Sequence, residues 1–329
     1  MKGLMTVFYK ELADHFTSWR GIILFITVLL VSVFATIGPQ GAIAGLRAQL
    51  ATPVQYGIGR FAFLYLFTAA GQMPSFLWFI CAFLVPIVGI VLGLDAINGE
   101  KNSGTLSRLL AQPIYRDAVI NGKFLAGVVT IAIMLTTTIL IVSAVGLSAL
   151  GIAPSSEEIA RILLFWGVSI LYGAFWLGLA MLFSVYFRSV ATSALCAIGI
   201  WIFFFPWPTG GSLMSMAARL AANILAPVSQ TSTTAELVRN YGMQITASRF
   251  SPTLLFGEAI TVLLSPGATT AGETLQLLTA SGALWMPGAP SLSQTLLTIW
   301  PHLATIGGIT ALLFAISYIR FMREEIRAT

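Results

Sequence analysis

DAINGEKNSGTLSRLLAQPIYRDAVINGK, residues 95–123, is a long polar stretch between two runs apolar enough to sit in lipid. It carries four of the chain's 17 basic residues and three of its 12 acidic ones. A polar segment of this length between two membrane-spanning runs is a loop at the membrane surface, with room for structure of its own. Its side of the membrane sets the topology of everything else, and its polarity makes it the part another protein would grip.

Outward from it the chain is lipid-like. Hydrophobic residues make up 57% of the 329, charged residues 9%, and the mean hydropathy is +0.90. A soluble domain carries about 25% charged residues. The apolar runs reach the roughly 20 helical residues needed to cross a hydrocarbon core. They are continuous rather than alternating, which selects helices over a barrel, the two structures that satisfy their backbone inside lipid. The fold class is an all-α integral membrane protein. The net charge of +5 comes from basic residues scattered at the ends of apolar runs. That is a topology signal and not a nucleic-acid surface. Cys81 and Cys196 fall inside apolar runs and read as small packing residues. Glu11 and Asp14 precede the first run and no small-residue cleavage site follows it, which reads as a retained first span.

Residues 1–20 form an expected interfacial helix. Met1, Leu4, Met5, Phe8, Leu12, Phe16 and Trp19 share an arc of roughly 120° on a helical projection, with Lys2, Lys10, Ala13 and Asp14 on the other side. Trp19 and Arg20 are its anchors at the membrane surface. Six transmembrane helices are expected at 22–38, 76–94, 124–150, 162–187, 190–205 and 295–319. Pro86 is expected to kink the second, Pro154 to Glu158 reads as a helix start, and Pro206-Trp207-Pro208 ends the fifth. The apolar piece from Phe61 to Gly71 is too short to cross and is expected to be re-entrant or interfacial. Residues 206–293 form a long outer segment before span six, in which Thr253 to Leu264 has helical spacing and reads as lying on the membrane or dipping into it.

Six spans put both termini on one side, with residues 95–123 and Arg188. That side holds eleven basic residues against three in the short loops opposite. The positive-inside rule therefore makes the termini and the 95–123 loop cytoplasmic and turns 206–293 outward.

Several chemistries are excluded. No phosphate-cradling Gly-x-x-x-x-Gly-Lys-Ser/Thr occurs: Gly122-Lys123 is followed by Phe124. There is no His-Glu-x-x-His and no Cys/His cluster, so no metal site and no catalytic constellation is indicated. The two histidines, His15 and His302, fall at opposite membrane faces. The cores of the first five spans hold no Asp, Glu, Lys, Arg or His. Ion-coupled transporters carry such groups at membrane depth. If this chain moves a solute, the energy comes from another subunit.

Within 95–123, Gly99 is expected to end the second span, and Ser103 or Thr105 to cap a short helix with Gly104 between them. From Leu106 a helix of two or three turns would put Leu106, Leu109 and Leu110 on one face and Arg108 with Gln112 opposite, ending at Pro113. These residues resemble the loop between spans two and three of the second type of ATP-binding-cassette exporter permease. The likeness is carried by Asp95-Ala96-Ile97-Asn98-Gly99-Glu100, Gly104-Thr105-Leu106, Leu109-Leu110, Gln112 to Asp117 and Gly122-Lys123-Phe124, with Lys10-Glu11, Ser18-Trp19-Arg20 and Ser251-Pro252-Thr253 in support. Within that family the stretch is most similar to the permeases of the nitrous-oxide reductase maturation and gliding-motility groups.

The resemblance implies a permease half in a bacterial or archaeal cytoplasmic membrane. It would pair with a second copy or a related chain and dock on separate ATPase subunits that hold the ATP and Mg. The 95–123 loop would be the coupling helix. Its contact residues would be Glu100, Gly104, Thr105, Leu106, Arg108, Leu109, Leu110, Pro113, Arg116 and Lys123. Lys101-Asn102-Ser103 is less charged than is usual in the family, and 206–293 is longer than a minimal member needs, which leaves room for a substrate or partner outside. The alternative is a membrane scaffold or accessory subunit with no transport path of its own.

Overall fold

The computed structural model describes residues 2–38, 41–44, 47, 61, 63–68, 83–106, 114–151, 153–206, 212–229, 232–264 and 290–324. Among them every regular element is a helix: α1 (Lys2–Thr17), α2 (Trp19–Ile37), α3 (Tyr65–Thr68), α4 (Val85–Gly93), α5 (Asn98–Asn102), α6 (Arg116–Leu150), α7 (Ser156–Tyr186), α8 (Val190–Phe204), α9 (Leu213–Leu225), α10 (Thr234–Ser248), α11 (Pro252–Leu264) and α12 (Leu292–Arg323). Four helices among the described residues are long and apolar enough to cross a membrane, those beginning at Trp19, Arg116, Ser156 and Leu292. α8 is a shorter apolar helix of 15 residues. Of the second expected span, residues 76–82 lie outside the described residues and α4 is its described part.

α7 is the hub. It packs most extensively on α4 and α12, and also on α6, α11 and α8. Its start follows from Ser155, whose side chain accepts from the Glu158 backbone while the Glu158 carboxylate accepts from the Ser155 backbone. That reciprocal pair satisfies two of the N–H groups a helix start leaves open. The other Glu158 oxygen accepts from the backbone N–H groups of Phe63 at 2.9 Å and Leu64 at 3.4 Å, which ties the α3 segment to the same helix end. The apolar piece around Phe61 to Gly71 is thus, where described, packed inside the protein: Leu64, Leu66 and Phe67 are fully buried, and the Phe67 ring meets Phe165 of α7.

α4 meets α7 at very short range. A Cβ placed on Gly89 would lie 2.8 Å from Trp176 Cβ and 2.9 Å from the Gly173 carbonyl oxygen, and one on Gly93 2.8 Å from Ala180 Cβ and from the Leu177 carbonyl oxygen. Gly89-x-x-x-Gly93 is therefore a close-contact seam of the kind that lets two backbones touch inside lipid, where packing rather than water drives helix association.

Part of the 206–293 segment enters the bundle. Tyr172 and Thr253 share a hydrogen bond of 2.9 Å, and Arg161 Nη1 donates to the Leu263 carbonyl at 3.2 Å. Arg161 and Tyr172 are ~16 Å apart along α7, and Thr253 and Leu263 ~15 Å apart along α11. The two helices therefore lie side by side, antiparallel. α11 is buried on most of its surface and also packs on α12. Thr253 to Leu264 is an inserted helix, beside a membrane-spanning one rather than on the surface.

Candidate functional site

The polar stretch begins where α4 ends. Gly99 does not break the helix, as the sequence suggested. The chain turns earlier, over Leu94 to Ile97, and Gly99 sits within α5. The reversal comes at Gly104, whose φ of +67° is a left-handed conformation that a side chain disfavours. Ser103 and Thr105 fold back on this turn: Ser103 Oγ donates to the Gly99 carbonyl at 2.9 Å and Thr105 Oγ1 to that of Glu100 at 3.3 Å. Leu106 is buried. Arg108, Leu109, Leu110 and Pro113 lie outside the described residues.

The first attachment of the stretch is to α1. The contacts run in order along both helices: Gly3 faces Ile114, Val7 faces Gly122, Glu11 pairs with Lys123, and His15 with Thr130. Residues 3, 7, 11 and 15 form one stripe of α1, so the two helices run in the same direction. The apolar arc of α1 is offset from this stripe: Leu4, Phe8, Leu12 and Phe16 are half-buried, Phe16 against Phe25 of α2, while Met5 is exposed. Glu11 faces inward because Lys123 is there to meet it. Lys123, with only 4% of its side chain exposed, lies 2.8 Å from Glu11 Oε1 and 2.9 Å from Glu100 Oε1. Lys10 Nζ joins the same oxygens at 2.8 and 3.2 Å, and reaches Asp14 at 3.3 Å.

The electrostatics follow from this geometry. Burial opposes ionisation of Glu11, but the Lys123 charge and hydrogen bonds from both lysines outweigh it and hold the carboxyl below the ordinary carboxylate range. Burial likewise opposes the Lys10 ammonium, and the bond and charge of Glu11, with those of Glu100, raise it above the ordinary lysine value. His15 is held below the ordinary histidine value chiefly by burial, with Glu11 opposing and Lys123 assisting. Thr130 Oγ1 donates to the Ala126 carbonyl at 2.8 Å, so its oxygen accepts from His15 Nδ1 at 2.9 Å. That makes the neutral Nδ1–H form of His15 the one that fits.

Four further attachments hold the stretch. Arg20 at the start of α2 reaches Asp95 at 2.6 Å. Ser184 near the end of α7 accepts from the backbone N–H groups of Ile97 and Asn98, at 2.9 and 3.2 Å, and donates to Asn98 Oδ1 at 3.0 Å. Asn102 Nδ2 donates to the Arg188 carbonyl in the α7–α8 turn at 3.0 Å, and Arg116 Nη1 to the Glu324 carbonyl at the end of α12 at 2.8 Å. Glu100 and Arg116, read from the sequence as contacts for a partner, thus spend polar groups inside the chain. The Glu11, Glu100 and Asp95 side of this network borders an open cleft of about 1120 Å³ whose wall also includes Leu24, Val91 and Leu92.

A family model described as ABC-2 family transporter protein matches residues 5–326. The chain belongs to that family. Membership bears out the resemblance carried by residues 95–124 and makes this an integral membrane protein of a transporter family. The ABC-2 chain is similar to two proteins each described as probable ABC transporter permease protein NosY. The one from Pseudomonas aeruginosa is 34% identical over 143 residues, 42% of this chain and 50% of that protein. The one from Stutzerimonas stutzeri is 31% identical over 144 residues, again 42% and 50%. The chain spans about half the length of the curated relatives it matches.

At the other end of the ABC-2 bundle sits a pair that sequence reading missed. His302 Nε2 of α12 lies 2.8 Å from Glu258 Oε2 of α11, both buried, with Arg249 Nε 3.8 Å from the same oxygen. Glu258 Oε1 and His302 Nδ1 are buried without a partner among the described residues. Glu258 lies midway between Thr253 and Leu263, so the pair is inside the bundle and not at its rim. Nothing local in the sequence signals it, since the two residues are 44 apart. The Gly89–Gly93 spacing, by contrast, is a visible signal for close packing of an apolar run.

Proposed function

We propose that this chain is the permease subunit of an ABC exporter, driven by separate ATPase subunits that dock on residues 95–123 from the cytoplasm. The observation that carries the proposal is the attachment of this stretch to α1, α2, α7 and α12 at once, through Lys123, Asp95, Asn98 and Arg116. A push on such a segment moves four elements of the bundle together, and packed helices answer a push by switching between discrete arrangements.

The rest of the assembly follows from the same reading. Both termini are cytoplasmic, as the distribution of basic residues argues, and the family points to a bacterial or archaeal cytoplasmic membrane. A second copy or a related chain completes the pathway. ATP and Mg are held by the ATPase, and this chain does no chemistry. Segment 206–293 faces outward, where a partner or the substrate meets it.

The test is nucleotide-dependent cross-linking of cysteines placed at 104–116 to a co-purifying ATPase. Leu109→Asp with Leu110→Asp abolishes ATPase association or stimulated hydrolysis while the chain still inserts. Wild-type association and hydrolysis in that variant would refute the docking assignment. A chain that purifies cleanly without any ATPase would favour a membrane scaffold.

A further inference from the structure

Glu324, the residue that closes α12, reaches both sides of the docking stretch. Its carboxylate Oε2 lies 2.6 Å from Lys101 Nζ, and its backbone carbonyl accepts from Arg116 Nη1 at 2.8 Å. Lys101 is in α5 and Arg116 opens α6, so one residue at the end of α12 holds both the helix before this part of the stretch and the helix after it. The base they share is firm. Phe321 one turn back is fully buried, and Arg320 lies over the Tyr186 ring at the end of α7, 5.5 Å from its centroid. The ion pair is shielded, with side-chain exposures of 19% for Lys101 and 28% for Glu324. The Arg116 bond has its own physical ground: the last carbonyls of a helix have no partner within it and carry the negative end of its dipole.

We propose that Glu324 is a positioning residue for energy coupling: it pins both ends of residues 101–116 to the foot of the sixth span. A segment with free ends would absorb a push by rotating its own backbone. With both ends fixed to one residue, the displacement passes into α12. This rests on residues 95–123 being the ATPase-docking stretch.

The experiment uses the full-length chain in lipid nanodiscs with its co-purifying ATPase. Glu324→Ala and Glu324→Gln are expected to insert and to retain the ATPase, while permease-stimulated hydrolysis falls by about fivefold or more, the low end of energetic coupling between distant sites. Glu324→Asp keeps most of the stimulation. Exchanging the charges, Lys101→Glu with Glu324→Lys, restores what either single change loses, while the unfolding temperature of each single variant stays near that of the wild type. Arg116→Gln, which leaves the Lys101 pair intact, lowers stimulation independently. Undiminished stimulation in Glu324→Ala, or failure of the charge exchange to restore it, would overturn the proposal while leaving the docking stretch standing. A wild-type chain that carries no ATPase would overturn both.

Discussion

Lys123 and Glu100 meet across the two ends of the polar stretch: Nζ lies 2.9 Å from Oε1, and the lysine is the more deeply buried of the two. Glu11 shares the same ammonium from α1 at 2.8 Å. The loop is therefore held shut by one cation between two carboxylates, with Lys10 balancing the charge from the solvent side.

Lys123→Met should destabilise the chain more than loss of a surface pair would. Removing one partner of a buried ion pair costs roughly 3–5 kcal/mol, because the remaining charges stay buried. The purified variant is expected to unfold at a clearly lower temperature. Adding Glu11→Gln and Glu100→Gln should recover most of the loss, since the methionine leaves two buried carboxylates sharing the half-exposed Lys10 alone. Equal stability of the single and triple variants would show that the ion pairs do not hold this corner.

His15 gives the α1–α6 contact a pH dependence. Its folded value lies below the ordinary one of ~6.5, so the unfolded or undocked chain binds the extra proton first. Docking is then fully stable above that pH and weakens as pH falls through the window beneath it. Glu11, held below the ordinary carboxylate range, adds a second loss only under more acidic conditions. A cysteine-attached fluorophore at exposed Tyr9 should report loosening between neutral pH and about pH 5. His15→Gln, which can still donate to Thr130, should abolish that step and leave the acidic one.

What could be read from the sequence tracks what is local. The start of α7 was visible in Pro154 to Glu158, because a capping box is written within four residues. The long runs of α6 and α12 were visible because length and apolarity are sufficient. The turn of the polar stretch is misplaced at Gly99 by the sequence: glycine permits a break without requiring one, and within the stretch only Gly104 adopts the conformation that needs it. The inward face of α1 was not legible, since Glu11 has its reason to point inward in Lys123, 112 residues on. α11 was ambiguous for a similar reason. A twelve-residue, mostly apolar segment suits a surface helix or an inserted one equally, and the choice is made by Tyr172 and Arg161 of α7.

Gly93→Leu should separate α4 from α7. Its Cβ alone would lie 2.8 Å from Ala180 Cβ and from the Leu177 carbonyl, with backbone on both sides and no flexible tip to yield. Overpacking typically costs about 1–3 kcal/mol, and here it also tilts the helix that leads into the docking stretch. The expected result is a lower unfolding temperature together with reduced ATPase stimulation. Gly167→Ala, where an added Cβ meets nothing within 4 Å, is the control that should change neither.

The Glu258–His302 contact makes a sharper demand on the outer half of the bundle. Among the described residues α11 meets α12 through apolar packing, this direct 2.8 Å contact between polar groups, and Arg161, which donates to both Leu263 of α11 and Thr295 of α12. His302→Leu leaves the Glu258 carboxylate buried, with only Arg249 at 3.8 Å, and should cost roughly 3–5 kcal/mol. Glu258→Leu leaves the buried imidazole without its hydrogen-bond partner, which costs about 1–3 kcal/mol. The double variant should be more stable than His302→Leu alone, because it removes both groups that lack alternatives. Thermal unfolding of the three variants reads this ordering directly. If His302→Leu were the mildest of the three, α11 would be held by packing alone and the pair would be incidental to its insertion.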